Sequence, residues 1–385
     1  MNETRLLNTS WRTWILLLCL GLVSLYWFLL KSPVLADTAL REKLEWPNTD
    51  FSKTAVDLKE ILSGGPPKDG IPAIDEPHFI DISSADQWLD PQEPVIVLKV
   101  QSEVRAYPIQ IMIYHEIVND VVGGLPVAVT FCPLCNATIV FDRRVNGQIL
   151  DFGTTGKLRK SDMVMYDRQT ESWWQQFIGT GIVGEYAGVT LKQIPAQIVA
   201  YQDLRKAYPK AQVLSFKTGH SRPYGRNPYR GYDQIDNTPF LLMDKTDKRL
   251  APMERVIFIR KGKQQRLYPF SMFKERPVIN DVVAGMPVVI FSKKGTLSAL
   301  DASEIIDSRT IPSATAWSRR VDGRELNFTL RQGKLIDIET GSHWDLFGLA
   351  LSGLLAGQQL DKVDSGVHFA FAWLAFNPDT EIYAP

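Results

Sequence analysis

Cys132-Pro133-Leu134-Cys135 places two sulfurs three residues apart, with apolar runs on both sides. A Cys-x-x-Cys pair is suited to three kinds of chemistry: half of a soft-metal site, a cycling dithiol, or a short disulfide. In thioredoxin-type centres the first Cys opens a helix, whose N-terminus lowers its pKa. Here Asn136-Ala137-Thr138-Ile139-Val140 reads as a strand, so the pair sits on a knuckle between two strands. That geometry aims both sulfurs at one point, as half of a zinc or copper(I) site does. His115 is the third candidate ligand, because the Gly123-Gly124 turn can fold its strand back beside the strand that leads to Cys132. Glu116 and Asp120 follow closely and would act as outer acceptors that orient the imidazole.

Two thiolates and one imidazole suit copper or zinc, and no carboxylate cluster lies nearby to recruit magnesium or calcium. The other readings stay open: a thiol–disulfide enzyme with a reactive low-pKa thiol, or a non-catalytic interaction module with a static disulfide. Asn136 follows Cys135, so the Cys-x-x-Cys-His pattern of haem attachment is absent. Thr218 to Tyr232 interleaves Arg with Tyr, and His220, Arg222 and Tyr224 are candidates for a ligand or anion contact. The alternative for this stretch is a strap closing two halves of the chain. Lys157, Arg159, Lys160 and Asp162 read as a solvated turn of mixed charge.

The elements that position these residues occur twice. Ile117-Val118-Asn119-Asp120-Val121-Val122 returns 161 residues later as Val278-Ile279-Asn280-Asp281-Val282-Val283. Tyr107-Pro108 returns at the same offset as Tyr268-Pro269, while Asn146-Gly147 and Asp322-Gly323 are matched type I′ hairpin signals. Position 115 maps to Arg276, 132 to Lys293 and 135 to Thr296, so the three candidate ligands are absent together from the second copy. Short strands between Gly, Pro and Asn-Gly turns predict a mainly β fold with minor helices, two pseudo-symmetric copies of one meander or barrel-like unit. Helices are expected at Ile109 to Tyr114 and Tyr201 to Tyr208. The organisation reads as residues 1–36 anchor or signal, 37–93 Pro-rich lead-in, 94–215 first copy, 216–252 Arg/Tyr-rich connection and 253–385 second copy.

Thr13 to Leu30 carries no charge over 18 residues and follows Arg5 and Arg12. This predicts insertion with the N-terminus inside and the remainder outside the cytoplasm, either anchored in the membrane or released after cleavage near Val34-Leu35-Ala36. Cys19 falls within the apolar run. The remaining 349 residues are enough for about two domains, and the 43 Lys+Arg balance the 43 Asp+Glu. No basic field exists to collect nucleic acid. The sequence identifies neither a protein partner nor a small ligand.

His115-Glu116-Ile117-Val118-Asn119-Asp120, the run from Gly124 to Cys135, Val164 to Thr170 and Trp174-Gln175-Gln176 together resemble the domain of unknown function 3179 family of bacteria and archaea. The resemblance covers roughly residues 94–380. It implies a secreted or membrane-tethered protein with the Cys-Pro-Leu-Cys region as its hallmark, and it implies no activity. Asn136 stands where the family pattern leads us to expect Gly.

Overall fold

The computed structural model describes residues 44–384. Residues 44–49 belong to an N-terminal unit, Met1–Thr49, and the rest to a second unit, Asp50–Pro385, that holds the sheets. The apolar run, Cys19 and the cleavage position lie outside the described residues. Among the described residues no helix is long and apolar enough to cross a membrane.

The fold is mainly β, with 43% strand and 12% helix, and its sheets remain open. This corrects the barrel-like part of the expectation: among the described residues each sheet ends on free edges or short flanking strands rather than returning to its first strand. In the first copy, strands β1 (Pro94–Val100) and β2 (Glu103–Pro108) pair antiparallel. Helix α1 (Ile109–His115) then leads into β3 (Ile117–Val122), β4 (Leu125–Cys132) and β5 (Ala137–Asp142), which pair in sequence. A third layer is built from β6 (Phe152–Arg159), β7 (Asp162–Asp167) and β8 (Trp173–Gln175).

The same order follows in β9 (Arg255–Lys261), β10 (Gln264–Pro269), β11 (Val278–Val283), β12 (Met286–Leu297) and β13 (Thr310–Ser318). Strands β14 (Phe328–Arg331), β15 (Lys334–Asp337) and β16 (His343–Trp344) complete it. The polar framework is repeated with the strands. Tyr107 Oη donates to Asp120 at 2.6 Å and Tyr268 Oη to Asp281 at 2.7 Å. Trp174 Nε1 donates to Asp167 at 2.8 Å and Trp344 Nε1 to Asp337 at 3.0 Å. These bonds satisfy carboxylates that are buried at Asp120, Asp167 and Asp337 and half-buried at Asp281, where an unmet acceptor would cost free energy.

Strand β4 is buried from Pro126 to Cys132, so both of its faces are covered and its sequence is apolar almost throughout rather than alternating. One apolar core joins the copies, with Val127, Phe131 and Cys132 in the same cluster as Val256, Phe258 and Trp373. The lead-in is part of the fold. Ile61–Ser63 pairs with β6, and Ile74 bridges to Val118. Gly156 makes this docking possible: its φ of +69° and a Cβ that would lie 1.9 Å from Pro66 O leave room for no other residue. Helices occur at Ile109–His115 and Tyr201–Ala207, close to their expected positions.

Candidate metal centre

Strand β4 ends at Cys132, and Pro133–Cys135 forms a single 3₁₀ turn before β5 begins at Ala137. Asn136 closes the turn at φ 47°, a left-handed conformation that Asn tolerates and that Gly would adopt without strain. The knuckle directs both thiols inward: Cys132 is 1% exposed and Cys135 fully buried, and neither is in a disulfide. Burial pushes both thiols above the ordinary range, Cys135 the further.

The third member comes from the β6–β7 hairpin. Arg159 pairs with Asp162 across a turn whose two central residues, Lys160 and Ser161, have φ of 55° and 65°. The turn seats Asp162 against the cysteines, and Cys135 Sγ donates to Ser161 O at 3.5 Å. The donor atoms of Cys132, Cys135 and Asp162 all lie within 4.8 Å of one another. Asp162 is fully buried. Its Oδ2 accepts from Gln175 Nε2 at 2.6 Å and from the Phe177 N–H at 2.9 Å. No N–H or O–H donates to its Oδ1. Desolvation pushes the carboxyl up to about 7, against the pull of those two donors and then of the Cys135 and Cys132 thiols. Gln176, next along the chain, ties this layer to β4 through Thr130 Oγ1 at 2.8 Å.

Three ionisable groups thus meet in a dry site where, among the described residues, no ion pair neutralises Asp162. Two sulfurs and one carboxylate oxygen are three of the four ligands that a tetrahedral zinc site takes. Asp162 therefore departs from its reading as part of a solvated turn. The β14–β15 hairpin stops at the Arg331–Lys334 pair and has no counterpart of the extension that carries Asp162.

His115 is placed elsewhere. It ends α1, fully buried, with Nδ1 2.7 Å from Pro72 O and Nε2 2.7 Å from Tyr224 Oη. Both ring nitrogens are occupied, and burial lowers its pKa to about 4. The structure pairs neither Glu116 nor Asp120 with the imidazole. Asp120 takes Arg105 and Tyr107, as Asp281 takes Arg266 and Tyr268. Glu116 lines a cavity instead, close enough to the cluster for the Asp162 charge to push its carboxyl up.

The Arg/Tyr-rich connection fastens the copies. Tyr224 Oη meets His115 on one side, while Asn227 N and Gly231 N donate to Ser303 O and Asp301 O on the other. His220 lies beside His115 with ring centroids 5.4 Å apart, but it is exposed, as is Arg222. Arg226 pairs with Glu304 at 3.1 Å.

No curated protein and no solved structure matches the chain. The family model described as Protein of unknown function (DUF3179) matches residues 68–380. The match takes in the part of the lead-in that contains the Ile74 bridge to Val118 and the Phe79–Ile80 strand. The chain belongs to that family of proteins of unknown function, DUF3179.

Proposed function

We propose that Cys132, Cys135 and Asp162 form a transition-metal site and that the protein is a zinc-binding protein. The observation that carries this reading is Asp162 Oδ1, a buried oxygen that no N–H or O–H reaches and that has only two buried thiols beside it. A divalent ion would supply the missing partner and displace the thiol protons, so that a costly cluster becomes a stabilising one. Replacing the imidazole with a carboxylate shifts the balance from copper(I) toward zinc, which accepts sulfur and oxygen together. Thiol exchange has less support, since an attacking thiolate needs access and a lowered pKa, and these sulfurs have neither.

The apolar run Thr13 to Leu30 and the basic residues before it support a membrane-tethered protein whose folded part lies outside the cytoplasm. The test of the metal reading is metal content and thiol count on the full chain purified without chelator, beside the Cys132→Ser/Cys135→Ser variant. About one equivalent of zinc in the parent and none in the variant is the expected result. A parent that neither retains nor takes up zinc, or a variant that holds as much, would overturn the proposal.

A further inference from the structure

Next to the thiol cluster lies a cavity of about 310 Å³, lined mainly by apolar groups from the lead-in, β6 and the inter-copy connection. Ile71, Leu134, Leu158 and Met163 form much of its wall, and Tyr229, Tyr232 and Phe240 contribute rings. Glu116 is the single acidic residue on that wall. The residue is 7% exposed, and no hydrogen bond or ion pair among the described residues engages its carboxyl. Lys157 also lines the cavity, with its ammonium 5.1 Å from the centre of the Trp173 ring.

The backbone holds this carboxyl in place. Glu116 caps α1 at φ 59°, with its N–H on Met112 O at 2.7 Å and its carbonyl taken by the Phe131 N–H at 2.8 Å. A left-handed residue that is neither Gly nor Asn costs about 1 kcal/mol, and such strain gathers at binding sites. The equivalent position in the second copy is Pro277, whose ring forbids a positive φ, so the feature belongs to the first copy alone.

We propose that this cavity binds a small organic ammonium ion with an apolar body. The charge would pair with Glu116, and the rest would pack against Tyr229, Tyr232 and Phe240, as cations do on aromatic faces. Once ionised, a buried carboxyl without a partner is costly, and an ammonium ligand offsets that cost where a neutral one does not. The volume, at the low end for ligand pockets, limits the ligand to about one ring or a short chain.

Benzylammonium and benzyl alcohol have nearly the same shape and differ in charge, which makes them the probes. Calorimetry on the full chain in chelator at pH 8.5, where Glu116 is largely ionised, should show benzylammonium binding at least 10-fold more tightly. Glu116→Gln should bring the two probes to within about 2-fold while benzyl alcohol binding persists, and Leu158→Trp, which narrows the cavity, should weaken both. The proposal fails if the parent binds neither probe or prefers neither, if Glu116→Gln keeps the preference, or if Leu158→Trp leaves both unchanged. Working in chelator separates this result from the zinc reading, since the cavity needs no metal to bind its ligand.

Discussion

Replacing Asp162 with Asn should stabilise the metal-free protein and abolish most of its response to zinc. The amide oxygen of the introduced asparagine can keep the bonds from Gln175 and Phe177 that Oδ2 now accepts. What is lost is the charge. Burial lifts the Asp162 carboxyl from 3.8 to about 7. At pH 8.5, where the group is ionised both folded and unfolded, that displacement corresponds to about 4 kcal/mol of destabilisation. Asp162→Asn should therefore gain up to about 4 kcal/mol in chelator at that pH and almost nothing near pH 4. Zinc reverses the comparison. At 100 times the dissociation constant a ligand stabilises the native state by about 2.7 kcal/mol, and a 100-fold loss of affinity leaves about 0.4. Guanidinium unfolding followed by tryptophan fluorescence, with chelator and with buffered zinc, measures both quantities. An unchanged zinc increment in the variant would refute Asp162 as a ligand, and a variant less stable than the parent in chelator at pH 8.5 would refute the electrostatic argument.

Two other perturbations test the surroundings. Glu116, Asp162 and Glu93 are raised by burial to about 8, 7 and 7. Such groups favour the folded state fully below their unfolded values and lose that contribution as pH climbs through the folded ones. His115 and His368 are lowered by burial to about 4 and 3, which penalises the folded state below about 6.5 and does nothing above it. Stability in chelator should accordingly fall between pH 6.5 and 8.5, and a flat or rising denaturation profile over that range contradicts the assignment. Tyr224→Phe removes the hydroxyl shared by His115 Nε2 and Thr218 Oγ1 at 2.7 and 2.6 Å. It should cost about 1 kcal/mol of stability and leave zinc affinity unchanged, whereas a fall in affinity would tie His115 to the metal.

The sequence made the Cys pair legible because apolar residues flank it and the second copy lacks it. The knuckle was readable for the same reason: Asn136 and the strand after it leave no room for a helix. His115 was harder to place, since adjacency along the chain says little where α1 ends. The left-handed turn at Glu116 sends neighbouring side chains to different places, one to Tyr224 and one to the cavity wall. Asp162 stayed hidden because it lies 27 positions beyond Cys135, within a charged turn that reads as solvated. Its signal was comparative: the hairpin is longer in the copy that keeps the cysteines. The open sheets also escaped a pattern of short strands, because barrel closure depends on strand tilt and stagger that alternation does not encode.

The apolar core shared by Phe131 and Cys132 with Val256 and Phe258 makes the two halves one thermodynamic body. Ligation at the thiol cluster, as proposed, would then act as a clamp on the whole sheet assembly, including strands more than a hundred residues away that offer it no ligand. The dependence runs both ways. A truncation deep in the second copy, such as at Phe258 beside Trp373, would weaken ion uptake by shifting the folding equilibrium, with every donor atom of the centre still in place.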